Sequence, residues 1–241
     1  MNDLVWVSIL IIIGPIIGSL IGIIKKPSQR YLCSALGFAA GIMVAISFLE
    51  LMPHALEISP LFIVIIGFAG GIFLMLALDK LLPHIHPELA RKEKPSIRRT
   101  AIVLMIGIAL HNLPEGLAIS SGFSYVQKLG IILAIGIAIH NIPEAIATVV
   151  PLYAATKKRF HSFLVSSSTC VPELIGFLIG FLILKNLSFS VLGLMMALTA
   201  GVMFYIVGDE LIPTSQKLVG GHAASIGLAL GVIVVLLLGL L

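Results

Sequence analysis

Eight apolar stretches, each about as long as a bilayer is thick, leave this chain little choice of fold. At about 20 helical residues per crossing, they fall at roughly 4–24, 32–52, 61–82, 100–121, 128–150, 160–184, 188–209 and 222–241. A helix satisfies its own backbone polar groups in lipid, so the expected fold is an all-α polytopic membrane protein. Residues 1–241 then form a single transmembrane domain with no room for a soluble one. The longest connection, roughly 83–99, is expected to be flexible. With 59% hydrophobic and 11% charged residues, an ordinary soluble surface is excluded. The net charge of +4 does not mark a nucleic-acid binder, because the Lys and Arg sit in short runs between the apolar stretches. Asp3 precedes the first stretch without a basic region or a small-residue cleavage site, so that stretch is read as a retained span.

Those basic runs set an expected orientation, since cytoplasmic connections accumulate Lys and Arg. Alternate connections are lopsided: one side holds Lys25, Lys26, Arg30, Lys80, Arg91, Lys92, Lys94, Arg98, Arg99, Lys157, Lys158, Arg159 and Lys217, the other only Lys128 and Lys185. Both termini are therefore expected outside a cell membrane, with the 83–99 connection in the cytoplasm.

Within the spans the sequence repeats itself. Ala40-Gly41-Ile42-Met43 matches Ala200-Gly201-Val202-Met203, and Glu50-Leu51-Met52-Pro53 matches Glu210-Leu211-Ile212-Pro213 at the same offset. On the expected topology the second span runs outward and the seventh inward, which is the sign of an inverted repeat of three, two and three helices. In transporters such repeats place the substrate near the membrane midplane.

The middle pair of spans carries the most specific signal. His111-Asn112-Leu113-Pro114-Glu115 and His140-Asn141-Ile142-Pro143-Glu144 are one pattern written twice, each near the centre of its span. His and Glu four residues apart stack on one helix face. Pro at His+3 cannot donate, freeing the carbonyls of Leu110 and Ile139 and predicting a kink in each helix. Two imidazoles and two carboxylates make a mixed nitrogen and oxygen donor set suited to Zn²⁺ and other first-row divalent ions. Asn112 and Asn141 add amide oxygens; their alternative role is interhelical hydrogen bonding.

Acids outnumber bases inside the spans, and buried acids without Lys or Arg partners need cations or protons. Glu173, directly after Pro172 near the middle of the sixth span, is the acid expected to join the motif pair. Glu50 and Glu210 are repeat-related and sit toward opposite membrane edges, so they are read as entrance and exit groups, with His54 and Asp209 beside them. A solvated helix end is the alternative for these four. His84 and His86 are loose metal ligands or part of a solvated connection. Cys33 and Cys170 are expected to be free thiols.

The motif pair, eight spans, external termini and His-bearing connection between spans three and four resemble the ZIP family of divalent metal transporters, its prokaryotic GufA-like branch above all. The resemblance covers essentially the whole chain. It implies a 3+2+3 inverted-repeat fold and inward movement of Zn²⁺, with Fe²⁺, Mn²⁺, Co²⁺ or Cd²⁺ as further substrates and no prosthetic group. It also implies a binuclear centre, with His111, Glu115, His140 and Glu144 at one ion and Asn112, Asn141, Glu115, Glu144 and Glu173 around the second. A homodimer and elevator-like movement of one bundle against another are further implications.

An intramembrane zinc metalloenzyme is the rival reading, since two His and several acids could hold a catalytic ion with an open position. A zinc protease would favour His-Glu-x-x-His, a string this sequence lacks. A metal sensor is a second rival. The chain is read as a transporter and not an enzyme.

Overall fold

A computed structural model describes residues 2–26, 28–85, 97–125, 127–182, 188–219 and 222–238. Every regular element among them is helical. The N-terminal part contains α1 (Asn2–Gly22), α2 (Gln29–Ala45), α3 (Met52–Ile58) and α4 (Leu61–Ile85). The central pair is α5 (Ile97–Tyr125) and α6 (Gln127–Thr156). The remainder is α7 (Arg159–Ser167), α8 (Cys170–Leu182), α9 (Phe189–Ile206), α10 (Ile212–Leu218) and α11 (Ala223–Leu238).

Five helical stretches among the described residues are long and apolar enough to cross a membrane: Leu4–Gly22, Gln29–Ile58, Ala134–Thr156, Arg159–Leu182 and Phe189–Leu218. Leu61–Ala77 and Ala223–Leu237 are shorter apolar helices. The chain is thus an all-helical, polytopic membrane protein. The expected span at 100–121 falls inside α5.

Repeat-related spans share a backbone device. α2 passes through a π-helical turn, Ile46–Leu51, into α3, and α9 passes through another, Val207–Leu211, into α10. In each, the residue before a proline reaches back five positions: Met52 N–H donates to the Ser47 carbonyl, and Ile212 N–H to that of Val207. Pro53 and Pro213 supply no N–H, and their rings would collide with a carbonyl four residues back in an α-helix. The wider turn removes that conflict. The two spans also start alike, since Ser28 Oγ accepts from Tyr31 N–H at 3.2 Å and Ser188 Oγ from Val191 N–H at 3.4 Å.

The sixth span, expected as one helix over 160–184, is two helices. Ser168 N–H and Thr169 N–H still bond back to Leu164 and Ser166, but the hydroxyls of Ser168 and Thr169 also take the carbonyls of Val165 and Ser166. Such local side-chain bonds compete with the helical ladder. Pro172 then withholds the donor that Ser168 would have received, and α8 restarts at Cys170. By contrast, α5 and α6 run helical through Pro114 and Pro143.

Helices pack mainly in pairs: α1 with α6, α8 with α5, α2 with α11 and α9 with α4. α5 lies against α6 and joins the pairs on one side, while contacts of α5 with α9 and of α2 with α6 connect them to the rest. Close approach depends on glycine. A Cβ at Gly41 would overlap the Leu228 carbonyl of α11, and one at its repeat partner Gly201 would overlap the Phe68 carbonyl of α4. Small residues at such positions let backbones touch where lipid supplies no hydrophobic drive. The largest buried cluster gathers Ile42, Met43, Ile46, Met75, Ile108, Met203 and Ile206 between these pairs.

Candidate metal site

Five polar side chains of the expected ligand set are buried: Asn112 and Glu115 on α5, Asn141 and Glu144 on α6, and Glu173 on α8. Asn141 Nδ2 donates to Glu173 Oε2 at 2.7 Å, tying the second motif to the broken span. Asn112 Nδ2 donates to the Thr169 carbonyl at 2.8 Å, so the first motif grips the break itself. Each amide thereby points its oxygen elsewhere. Asn112 Oδ1 and Asn141 Oδ1 are buried and accept no hydrogen bond among the described residues. An unmatched buried acceptor costs about 1–3 kcal/mol, and a cation removes that cost.

The position of Glu173 follows from α5 and α8 touching backbone to backbone. A Cβ on Gly116, the neighbour of Glu115, would overlap the Glu173 carbonyl, and one on Gly176 would overlap that of Leu113. Glu173 also lies in the first turn of α8, whose N-terminal dipole favours a carboxylate. One turn beyond Glu144, Thr148 Oγ1 donates to the Glu144 carbonyl at 2.9 Å and meets Ser166 Oγ at 3.1 Å. Ser19 Oγ donates to Ser166 Oγ at 2.9 Å, so hydroxyls pin α1, α6 and α7 together beside the motif.

The helices place His111 one turn before Glu115 and His140 one turn before Glu144, while both imidazoles lie outside the described side chains. Among the described residues no three His, Cys, Asp or Glu side chains group as a metal site. At the edges, Glu50 and His54 are exposed, and His54 Nδ1 lies 2.8 Å from the Glu50 carbonyl. Asp209 is exposed, whereas Glu210 is buried at 4% exposure. Beyond its own flanking helices, the π turn that holds Glu210 packs against α2 and α5, and that of Glu50 against α9. His84 falls in the last turn of α4 with its side chain outside the description, and His86 lies outside the described residues. Cys33 and Cys170 are free and buried, Cys33 Sγ donating to the Ser215 carbonyl.

Thr169, Gly116 and Gly176 were not singled out by sequence reasoning. The run Ser166-Ser167-Ser168-Thr169 before Pro172 was the available signal for the break; the glycine contacts carry none without the helix pairing.

An all-helical polytopic membrane protein, with one buried acid and two buried amides meeting where one span is broken, has the form of a membrane transporter for cations. A family model described as "ZIP Zinc transporter" matches residues 2–96 and 86–239. The chain is 37% identical over 230 residues to the zinc transporter ZupT of Salmonella heidelberg, covering 89% of this chain and 87% of that protein. The same protein of Salmonella newport matches equally, at 37% over 230 residues. The chain belongs to the ZIP zinc transporter family, a family of transporters and not of enzymes.

Proposed function

We propose that this protein carries Zn²⁺ across a cell membrane into the cytoplasm, with Fe²⁺, Mn²⁺, Co²⁺ and Cd²⁺ as further substrates of a mixed nitrogen and oxygen site. The ligands are His111, Asn112, Glu115, His140, Asn141, Glu144 and Glu173. The observation that carries this reading is the pair of buried amide oxygens, Asn112 Oδ1 and Asn141 Oδ1, that accept no hydrogen bond among the described residues, one of them on an amide bonded to the buried Glu173. Both amides spend their donors on the broken span, which leaves oxygens for an ion. Glu50 and His54 serve the entrance, Asp209 and Glu210 the exit, and His84 and His86 bind metal loosely at the cytoplasmic connection.

Eight spans in a 3+2+3 inverted repeat fit the helix pairing. Numbering the spans in order, first packs with fifth and sixth with fourth, second with eighth and seventh with third. Exchanging the two repeats maps each pair onto the other, as an inverted repeat requires. The lopsided basic connections support external termini. Alternating access then moves α1, α5, α6, α7 and α8 as one bundle past the remaining helices.

Uptake of ⁶⁵Zn²⁺ into sealed proteoliposomes tests this reading. Accumulation that excess unlabelled Cd²⁺, Fe²⁺ and Mn²⁺ suppress to different degrees is expected, and the order of suppression ranks the substrates. No accumulation above protein-free vesicles by a folded, zinc-binding preparation would remove the transport assignment.

A further inference from the structure

A groove of about 320 Å³ opens on the flank of the molecule between the α1/α6 and α2/α11 pairs, away from the metal ligands. Its walls are apolar: Ile21 of α1, Phe38 of α2, Ile146 of α6 and Leu230 of α11. Tyr31 and Ser34 add its hydroxyls. From Tyr31 to Phe38 the groove follows two turns of α2, about 10 Å, a depth that takes part of an acyl chain. Ile21, Ile226 and Leu230 are exposed, so the groove opens outward on apolar surface and not into the core.

The rim at the Tyr31 end is cationic. Lys25 and Lys26 follow the end of α1, four and five residues after Ile21, and Arg30 directly precedes Tyr31; all three are exposed. A second exposed run, Lys157, Lys158 and Arg159, is brought alongside, because Arg159 Nη2 reaches the Ile24 carbonyl at 3.5 Å. His222, at the start of α11, is exposed as well. An apolar slot ending under a cluster of cations matches one kind of molecule in a bilayer.

We propose that this groove binds an anionic phospholipid, one acyl chain between α1 and α11 and the phosphate at Lys25, Lys26 and Arg30. The bound lipid fills the seam between two helix pairs. A zwitterionic lipid offers the same chain but gains less from the rim, since juxtamembrane cations favour anionic headgroups.

Fluorescence quenching in nanodiscs tests this. Trp6 is the sole tryptophan, so Trp6→Phe with Tyr31→Trp places a single reporter at the groove mouth. The probes are phosphatidylglycerol and phosphatidylcholine brominated on the acyl chains, each a minor component of an unbrominated phosphatidylcholine bilayer. Quenching by the brominated phosphatidylglycerol is expected at about fivefold lower lipid fraction for each cation engaged. Adding Lys25→Gln, Lys26→Gln and Arg30→Gln should weaken that preference by about fivefold for each engaged cation removed and leave quenching by phosphatidylcholine unchanged. Equal quenching by both lipids in the unsubstituted rim would overturn the proposal, as would no quenching by either, which would mean that another protein surface covers the groove. Ile226→Trp, at an exposed position on the lip, replaces the Tyr31 reporter should that variant not fold.

Discussion

Glu50 and Glu210 stand at the same place in two copies of one motif, yet one is exposed and the other buried. Both ride π turns closed by the same five-residue backbone bond, and both precede a proline by three positions. The local sequence therefore dictates the backbone twice over, and the neighbours decide what it presents. Beyond its flanking helices the Glu210 turn packs on both α2 and α5, the latter the helix of the first His/Asn/Glu motif, while the Glu50 turn packs on α9. On the proposed inverted-repeat reading, one of the two transport conformations exposes one member of such a pair and encloses its counterpart.

Accessibility gives the largest expected contrast. In a Cys33→Ser, Cys170→Ser background, Glu50→Cys should react with a hydrophilic maleimide on the order of 100-fold faster than Glu210→Cys, because the buried site must first open. Equal rates would dissolve the comparison. Next comes the support behind the buried arm. Gly116→Val should lower zinc uptake by about tenfold or more, since its side chain would push the Glu173 carbonyl, and α8 with it, off α5. Gly70→Val, at a position open to 4 Å, should leave uptake intact. If the two substitutions behave alike, the α5–α8 contact does not hold the site.

A smaller effect is expected on stability. Glu210→Ala removes a buried carboxylate and leaves its surroundings unmatched, costing about 1–3 kcal/mol, read as a lowered thermal unfolding midpoint. Glu50→Ala should leave that midpoint where it is. The smallest effect should be the same in both halves. Ser28→Ala and Ser188→Ala each remove one helix cap, worth about 1 kcal/mol, and matching losses would separate what the repeat shares from what it does not.

Much of this was legible in the residues. The apolar stretches announced a polytopic helical protein, the duplicated motif marked the buried polar side chains on α5 and α6, and Glu173 was the acid that Asn141 meets. Pro53 and Pro213 were visible at matching offsets, although the π turns they impose were not read. The break in the sixth span was missed because a run of Ser and Thr is compatible with a membrane helix until its hydroxyls choose backbone carbonyls. The burial of Glu210 could not be read at all. Its turn packs on α2 and α5, both about a hundred residues or more away in sequence, and no local pattern encodes that. Asn112 shows the same limit: its pairing with the Thr169 carbonyl needs both the break and the α5–α8 contact.

The proposed function requires the two motifs and Glu173 to hold one metal site. Zinc K-edge X-ray absorption on the zinc-loaded protein, wild type and His140→Ala, tests it most directly. A shell of nitrogen and oxygen donors at about 2.0–2.2 Å is expected, with imidazole scattering that falls by about half in the variant because one of two His ligands is gone. A shell of sulfur or of oxygen alone, or imidazole scattering unchanged by His140→Ala, would contradict it.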